Sequence, residues 1–418
     1  MNKNIWIMNH YAADMFRDKA GRHYWFARKL KEAGYSPRVF CANTFHNKVE
    51  QIEVEKDGYT EKTDHEIPYV FVKTKPSKGN GIDRVKNMVF FFLHLFPVSK
   101  KIIQKHGKPD IILASSVHPL TMVAGILIAK RIQVPCICEI RDLWPEAIFS
   151  FGKVKEKSLF GKLLIAGEHW IYKKADALIF TKEGDTDYLK ERNWTIETGG
   201  DISLEKCHYI NNGVNLEAFK QSITENQVED TDLKKNTFNV VYAGILRPVN
   251  DVGKLLDAAK LLKKEKEIQF LIYGDGNQFE ELKSRVKEEH IDNVKMKGFI
   301  ERKYIPYVLS RSSLNVLNYS QGKYNWSRGN SSNKLFEYMA SGKPVLSTVK
   351  MGYDIIDYYK CGISLEHDTA KELASAVLAI KNMPKKEYLK LCAASEKGAA
   401  DFDFNVLSAK LIKLIESV

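Results

Sequence analysis

The feature of this chain that most constrains its fold is a regular alternation of short apolar runs with longer helical patterns. Apolar runs fall at 5–8, 38–41, 111–115, 136–140, 177–181, 239–242, 269–273, 314–317 and 344–347. Runs this short, between breaker residues, suit buried strands. Helical spacing occupies much of the rest, at 21–33, 120–131, 254–266, 279–290 and 332–340. Strand and helix in alternation predict parallel sheets covered by helices on both faces. The pattern also restarts. HYINNGVNLEAF (208–219) leads into a polar stretch, 220–236, before a fresh apolar run, and Asn212-Gly213 within it is a turn signal. A length of 418 residues makes two domains the default. Segment 404–418 is apolar at Val406, Leu407, Leu411, Ile412, Leu414 and Ile415, consistent with an amphipathic helix. Two open sheets of this class are expected to bind ligand across a cleft, beyond the C-terminal ends of their strands.

Composition narrows the partners. Hydrophobic residues at 44% and charged residues at 28% describe a globular chain, not a disordered one. No apolar stretch reaches the roughly 18 residues that a membrane-spanning helix needs. The opening MNKNIWIMNHYAADMF reads as a first strand, not a signal peptide. A reducing cytosol is therefore expected, with the six cysteines as buried thiols; Cys136 and Cys138 would point to one strand face. The net charge of +12 admits nucleic acid, anionic lipid or phosphorylated small molecules. Within 72–108, Lys73, Lys75, Lys78, Arg84, Lys86, Lys100, Lys101, Lys105 and Lys108 stand against the single acid Asp83, around the apolar MVFFFLHLF (88–96). That suits a helix lying in a lipid interface, and equally a core helix with a solvated basic end. No zinc-finger spacing or aromatic–glycine RNA motif occurs, so nucleic acid is the weakest option.

The strongest local signal is SSNKLFEYMASGKP (331–344). Ser332 or Asn333 can cap a helix whose free amides attract phosphate, with Lys334 adding charge in the first turn. Glu337, one turn on, can accept from two neighbouring ribose hydroxyls. Taken alone, the segment is also explained as a capped surface helix with Glu337 in solvent. His118, after the strand 111–115, and His10, after the first strand, lie at strand C-terminal ends, where a histidine serves a site or bonds locally. Asp185/Asp187 and Asp401/Asp403 mimic metal pairs, but the first pair opens a helix, where acids complement the dipole. Gly274-Asp275-Gly276 lacks the third glycine of a dinucleotide fingerprint and reads as a tight turn.

Further motifs occur in order: Gly21-Arg22-His23-Tyr24-Trp25-Phe26-Ala27 with Ala33-Gly34-Tyr35; Glu139-Ile140-Arg141-Asp142-Leu143-Trp144-Pro145-Glu146; Ala175-Asp176-Ala177; Asn211-Asn212-Gly213-Val214; Tyr242-Ala243-Gly244; Tyr273-Gly274-Asp275-Gly276; and Gly298-Phe299. Together with 331–344 this series resembles the GT-B glycosyltransferases of family 4. The branch it resembles makes surface polysaccharides and includes the N-acetylfucosamine-type aminodeoxysugar transferases. The resemblance implies two Rossmann-like domains facing a cleft: an acceptor domain at 1–215, a nucleotide-sugar domain at 216–400, and a helix at 401–418 crossing back to the first. It implies donor contacts at Gly21, Arg247, Gly274, Phe299, Ser332, Asn333, Lys334 and Glu337, and acceptor contacts at His10, Arg22 and His23. Arg141 would lie near the transferred sugar, Asp142 would orient a hydroxyl or take the acceptor's proton, and His118 would join them as a catalytic group.

Two positions depart from the family pattern. Ile245 and 250–253 stand where relatives carry pyrophosphate-binding arginine and Lys-Gly, so Arg247 and Lys334 are the substitute cations. Gly329 stands where a second acid usually meets the donor sugar, which leaves the sugar open. The expected activity is retaining transfer from a UDP-sugar (GDP second) to a glycan or polyprenyl-linked acceptor. No metal cofactor is expected, and the expected location is the cytoplasm, peripheral on the inner membrane face. The rivals are a non-hydrolysing UDP-sugar 2-epimerase and a non-catalytic nucleotide-sugar-binding partner of an assembly complex.

Overall fold

A computed structural model describes residues 3–418 except Asn47, Lys78, Asn80, Val117, Phe151, Lys153, Lys235, Asn236 and Tyr324. Lys78 of the basic stretch thus lies outside the described residues. The chain forms two compact units, one of residues 1–211 with 407–418, the other of residues 212–406.

The first unit is built on an eight-stranded sheet: β1 (Asn4–Met8), β2 (Ser36–Ala42), β3 (Tyr59–Asp64), β4 (Ile67–Val72), β5 (Ile111–Ser115), β6 (Cys136–Ile140), β7 (Ala177–Phe180) and β8 (Cys207–Tyr209). Their order is β3-β4-β2-β1-β5-β6-β7-β8, parallel throughout except for the β3–β4 hairpin. Every residue of β5, β6 and β7 is buried, as expected of parallel strands covered on both faces. The order reverses direction between β1 and β5. In open α/β sheets that switch point is where ligands bind. His10 and His118 follow those two strands.

The second unit has six parallel strands: β9 (Phe238–Ala243), β10 (Ile268–Tyr273), β11 (Val294–Gly298), β12 (Leu314–Leu317), β13 (Val345–Ser347) and β14 (Gly362–Ser364). The order is β11-β10-β9-β12-β13-β14, with the switch between β9 and β12. The helix Phe404–Ser417 buries Leu407, Leu411, Leu414 and Ile415; from Leu407 onward it belongs to the first unit, where Lys3 donates to the Ile415 carbonyl at 3.0 Å. All six cysteines are free. Cys136 and Cys138 both enter the first unit's core.

The basic stretch 72–108 becomes the helix Ile82–His106, and it has two apolar faces, not one. Met88, Phe91, Leu95, Val98 and Ile102 enter the core, while Ile82, Val85, Val89 and Leu93 face outward. The core reading holds for the buried face, and the other face is apolar and exposed. Phe91→Ala should therefore cost about 3–5 kcal/mol in urea unfolding, and Leu93→Ala about 0.5 kcal/mol or less. Equal costs would mean the helix is turned the other way.

Candidate functional site

In the first unit the site end is organised by a residue to which the sequence reading gave no role. Glu139, inside β6, is fully buried. Its Oε2 accepts from Arg22 Nε at 2.6 Å, and its Oε1 accepts from His23 Nε2 at 2.9 Å and Ser115 Oγ at 2.7 Å. Arg22 also donates to the Asn211 carbonyl and, at 2.8 Å, to that of Ile210. Burial pushes the Glu139 carboxyl up, but Arg22 and His23 outweigh it and hold the group well below its ordinary range. His23 is kept neutral by burial and accepts from Asn9 Nδ2 at 2.9 Å. The signal that could have found Glu139 is the sequence CICEI itself, since a carboxylate in a fully buried strand requires partners.

This corrects the acceptor assignment of Arg22, His23 and His10. The first two are turned inward onto Glu139, and His10 is fully buried with both ring nitrogens engaged. His10 Nδ1 lies 2.8 Å from His118 Nε2, and its Nε2 lies 2.5 Å from Asn87 Oδ1. No ring atom of His10 is left for a sugar hydroxyl. Gly21 stands before the helix Arg22–Glu32 at φ 102°, where its missing Cβ keeps it clear of Met15.

Arg141 and Asp142 follow β6 and are not paired with each other. The Arg141 amide donates to Ser116 Oγ at 3.0 Å, and its buried Nε has no partner among the described residues. Asp142 is well exposed, 3.5 Å from Lys182 Nζ.

In the second unit a glycine directly follows β9 (Gly244) and β10 (Gly274), and β11 ends on Gly298. Gly274 has φ 140°, and a Cβ there would lie 1.8 Å from the Gly244 carbonyl oxygen. A Cβ on Gly244 would lie 2.2 Å from Lys334 Nζ, so glycine at 244 makes the bed for that ammonium. Lys334 donates to Tyr242 Oη at 3.1 Å and lies over the Tyr242 and Tyr319 rings at 4.8 and 5.8 Å. Burial, then Arg247, pushes its pKa down to about 8. No carboxylate pairs with it among the described residues. Phe299 is 75% exposed just beyond β11, and Arg247 is exposed before the turn Pro248–Asn250.

The helix Asn333–Ala340 begins after Ser332, but the expected side-chain cap is absent. Ser332 Oγ instead accepts from Tyr319 Oη at 2.9 Å, and the Ser332 amide donates to Asn330 Oδ1 at 2.8 Å. Asn333 is exposed, so the helix start carries amides that no side chain caps. Glu337 is partly exposed and pairs with Arg302 Nη2 at 3.3 Å. Arg302, Tyr242 and Tyr319 complete this end, and periodicity gave no signal for them. Among the described residues no cluster of three or more His, Cys, Asp or Glu side chains could hold a metal ion.

Residues 22–197 match the glycosyl transferase 4-like domain, and residues 223–397 match glycosyl transferases group 1. The chain is a glycosyltransferase of GT-B fold, each of its halves matched by a glycosyltransferase domain. It is 28% identical over 221 residues to TuaH of Bacillus subtilis, which carries the name of a teichuronic acid biosynthesis glycosyltransferase. The match covers 51% of this chain and spans 50% of that protein's length. HepE of Anabaena, solved in complex with UDP, superposes with a TM-score of 0.65 at 15% identity, covering 100% of both chains. Sucrose-phosphate synthase of Thermosynechococcus elongatus gives 0.70 at 16%, covering 100% of this chain and 99% of that one. At such identities the likeness shows the fold.

Removing one partner from a buried ion pair leaves the other charge unmatched, at about 3–5 kcal/mol. Glu139→Ala should lose that much in urea unfolding, because Arg22 stays buried. A loss below about 1 kcal/mol would mean that Glu139 does not hold this end together.

Proposed function

We propose that this protein transfers a sugar from a UDP-sugar, with retention, to a glycan or polyprenyl-linked acceptor in bacterial surface polysaccharide synthesis. The observation that carries this reading is Lys334: an ammonium half-buried against two tyrosines, beside Arg247, with no carboxylate partner, at an uncapped helix start. Two cations and free amides answer a diphosphate, and they ease its departure without a metal ion. Glu337 is suited to the ribose and Phe299 to the base; Asn333 and Gly274 leave backbone open to the phosphates. In the first unit Asp142 orients the acceptor hydroxyl or takes its proton, and Arg141 meets the transferred sugar. HepE's complex with UDP supports the choice of nucleotide, and TuaH's name supports the polymer class.

UDP should raise the melting temperature, since a ligand that binds only the folded protein stabilises it. Glu337→Ala should weaken UDP about tenfold, the worth of one good hydrogen bond. Lys334 is protonated below pH 8, so UDP affinity should be full there and fall as pH rises through about 8; Lys334→Met should be weak and flat with pH. Asp142→Ala should slow UDP release from a donor panel while leaving the UDP shift intact. UDP binding with no turnover of any donor would favour a non-catalytic partner, and an epimer formed from a UDP-sugar alone would favour the epimerase.

The lipid-linked acceptor and a place at the inner membrane face draw support from a surface of the first unit. Besides Ile82, Val85, Val89 and Leu93, this unit exposes Leu159 (87%), Phe160 (56%) and Leu163 (65%) on the helix Leu159–Lys174. The helix Pro119–Ile132 touches both this helix and the helix Ile82–His106. Lys86, Lys155, Lys157 and Lys162 are exposed in the same stretches of chain, with Asp83 and Glu156 as exposed acids among them. Exposed apolar residues interspersed with lysines suit an anionic bilayer. No helix among the described residues is long and apolar enough to cross a membrane. The protein should sediment with phosphatidylglycerol vesicles and not with phosphatidylcholine ones, and Leu159→Ser with Leu163→Ser should release it. Sedimentation unchanged by those substitutions would remove this surface from the reading.

A further inference from the structure

Two buried histidines of the first unit, His10 and His118, form a chain with Asn87 in which each proton has one position. Asn87 Nδ2 lies 2.5 Å from the Lys75 carbonyl oxygen and 3.1 Å from both Thr44 Oγ1 and Thr74 Oγ1. A carbonyl oxygen only accepts, so the amide nitrogen must face it, and Asn87 Oδ1 must face His10 Nε2. Oδ1 also only accepts, so His10 carries its proton on Nε2. Burial holds His10 well below its ordinary pKa and pushes His118 down to about 3, so both rings are neutral. A neutral His10 protonated on Nε2 offers a lone pair at Nδ1, and His118 Nε2 must donate to it. What remains is His118 Nδ1, a bare lone pair. It is buried and has no partner among the described residues, and it caps no amide of the helix that follows.

A buried lone pair left unmatched is costly. A phosphate or carboxylate, itself rich in lone pairs, would be repelled. A hydroxyl group satisfies it. Thr121 Oγ1 and Arg141 Nε, on the segments that follow β5 and β6, are buried and also lack partners. Each is a hydrogen-bonding group that a hydroxyl can match.

We propose that Asn87 and His10 are positioning residues that lock His118 in the Nε2–H tautomer, so that its Nδ1 accepts a hydrogen bond from a hydroxyl of the sugar substrate. This rests on the glycosyltransferase reading above. The proton stays on the sugar; His118 accepts a hydrogen bond and transfers nothing.

The test is 15N NMR of histidine-labelled protein joined to turnover of a UDP-sugar panel. In the wild type, His10 and His118 should both show protonated Nε2 and bare Nδ1. Asn87→Leu and His10→Phe should each send His118 into a mixture of tautomers and lower kcat roughly tenfold, with KM for the UDP-sugar within about twofold. His10→Gln, whose amide can donate to Asn87 and accept from His118, should recover the tautomer and most of kcat. The NMR reading needs no activity, so a wild type without turnover but with the expected tautomers would count against the glycosyltransferase reading alone. A wild-type His118 protonated on Nδ1 would overturn the lock. So would variants that scramble the tautomer yet keep kcat.

Discussion

The first unit depends on one buried ion pair. A carboxylate inside a strand covered on both faces is tolerable only if both of its oxygens find donors. Glu139 finds three, and they come from different parts of the chain: Arg22 and His23 at the start of a helix and Ser115 at the end of β5. Arg22 extends the tie to the carbonyls of residues 210 and 211, just beyond β8. The loop after β1, the ends of β5 and β6 and the segment leaving β8 are therefore fixed by one charge. Such a pair contributes less to net stability than an apolar core of equal volume. It gains direction instead, because each segment has a single orientation in which all the donors are matched.

The second unit solves the opposite problem. Its strand ends must let an ammonium approach backbone, and they do so by leaving out side chains. Gly244 leaves room for Lys334 Nζ, and Gly274 leaves room for the Gly244 carbonyl. Any residue larger than glycine at either place would displace the next group along. The motif Tyr242-Ala243-Gly244 and the lysine ninety positions later are thus one device. Tyr242 supplies the face on which the ammonium rests, Gly244 the space, and Lys334 the charge.

Fold class was legible because it rests on period: β5, β6 and β12 have the bounds their apolar runs predict, 111–115, 136–140 and 314–317. The hairpin β3–β4 was not, since its partly exposed edge strand YTEKTD carries no apolar run. Motifs point to strand ends but not to side-chain direction. Arg22, His23 and His10 stand where the resemblance placed them in sequence, yet face inward, because Glu139 and Asn87 lie on other elements and local spacing cannot register them. Ser332 was expected to cap its helix; Tyr319, thirteen residues earlier, takes its hydroxyl instead. In each case a long-range hydrogen bond overrode a local expectation.

The two units share a topology and place their switch points alike, yet the electrostatics of those points differ in kind. In the first unit, Arg22 is neutralised by Glu139 and three histidines are held neutral by burial. What that end offers is hydrogen-bonding capacity, with Arg141 and Asp142 at its margin. In the second unit no carboxylate pairs with Lys334 or Arg247 among the described residues, and, after burial, Arg247 pushes the Lys334 pKa down more than Glu337 raises it. A ligand with two charged phosphates relieves the repulsion between the two cations, whereas a neutral sugar gains little there.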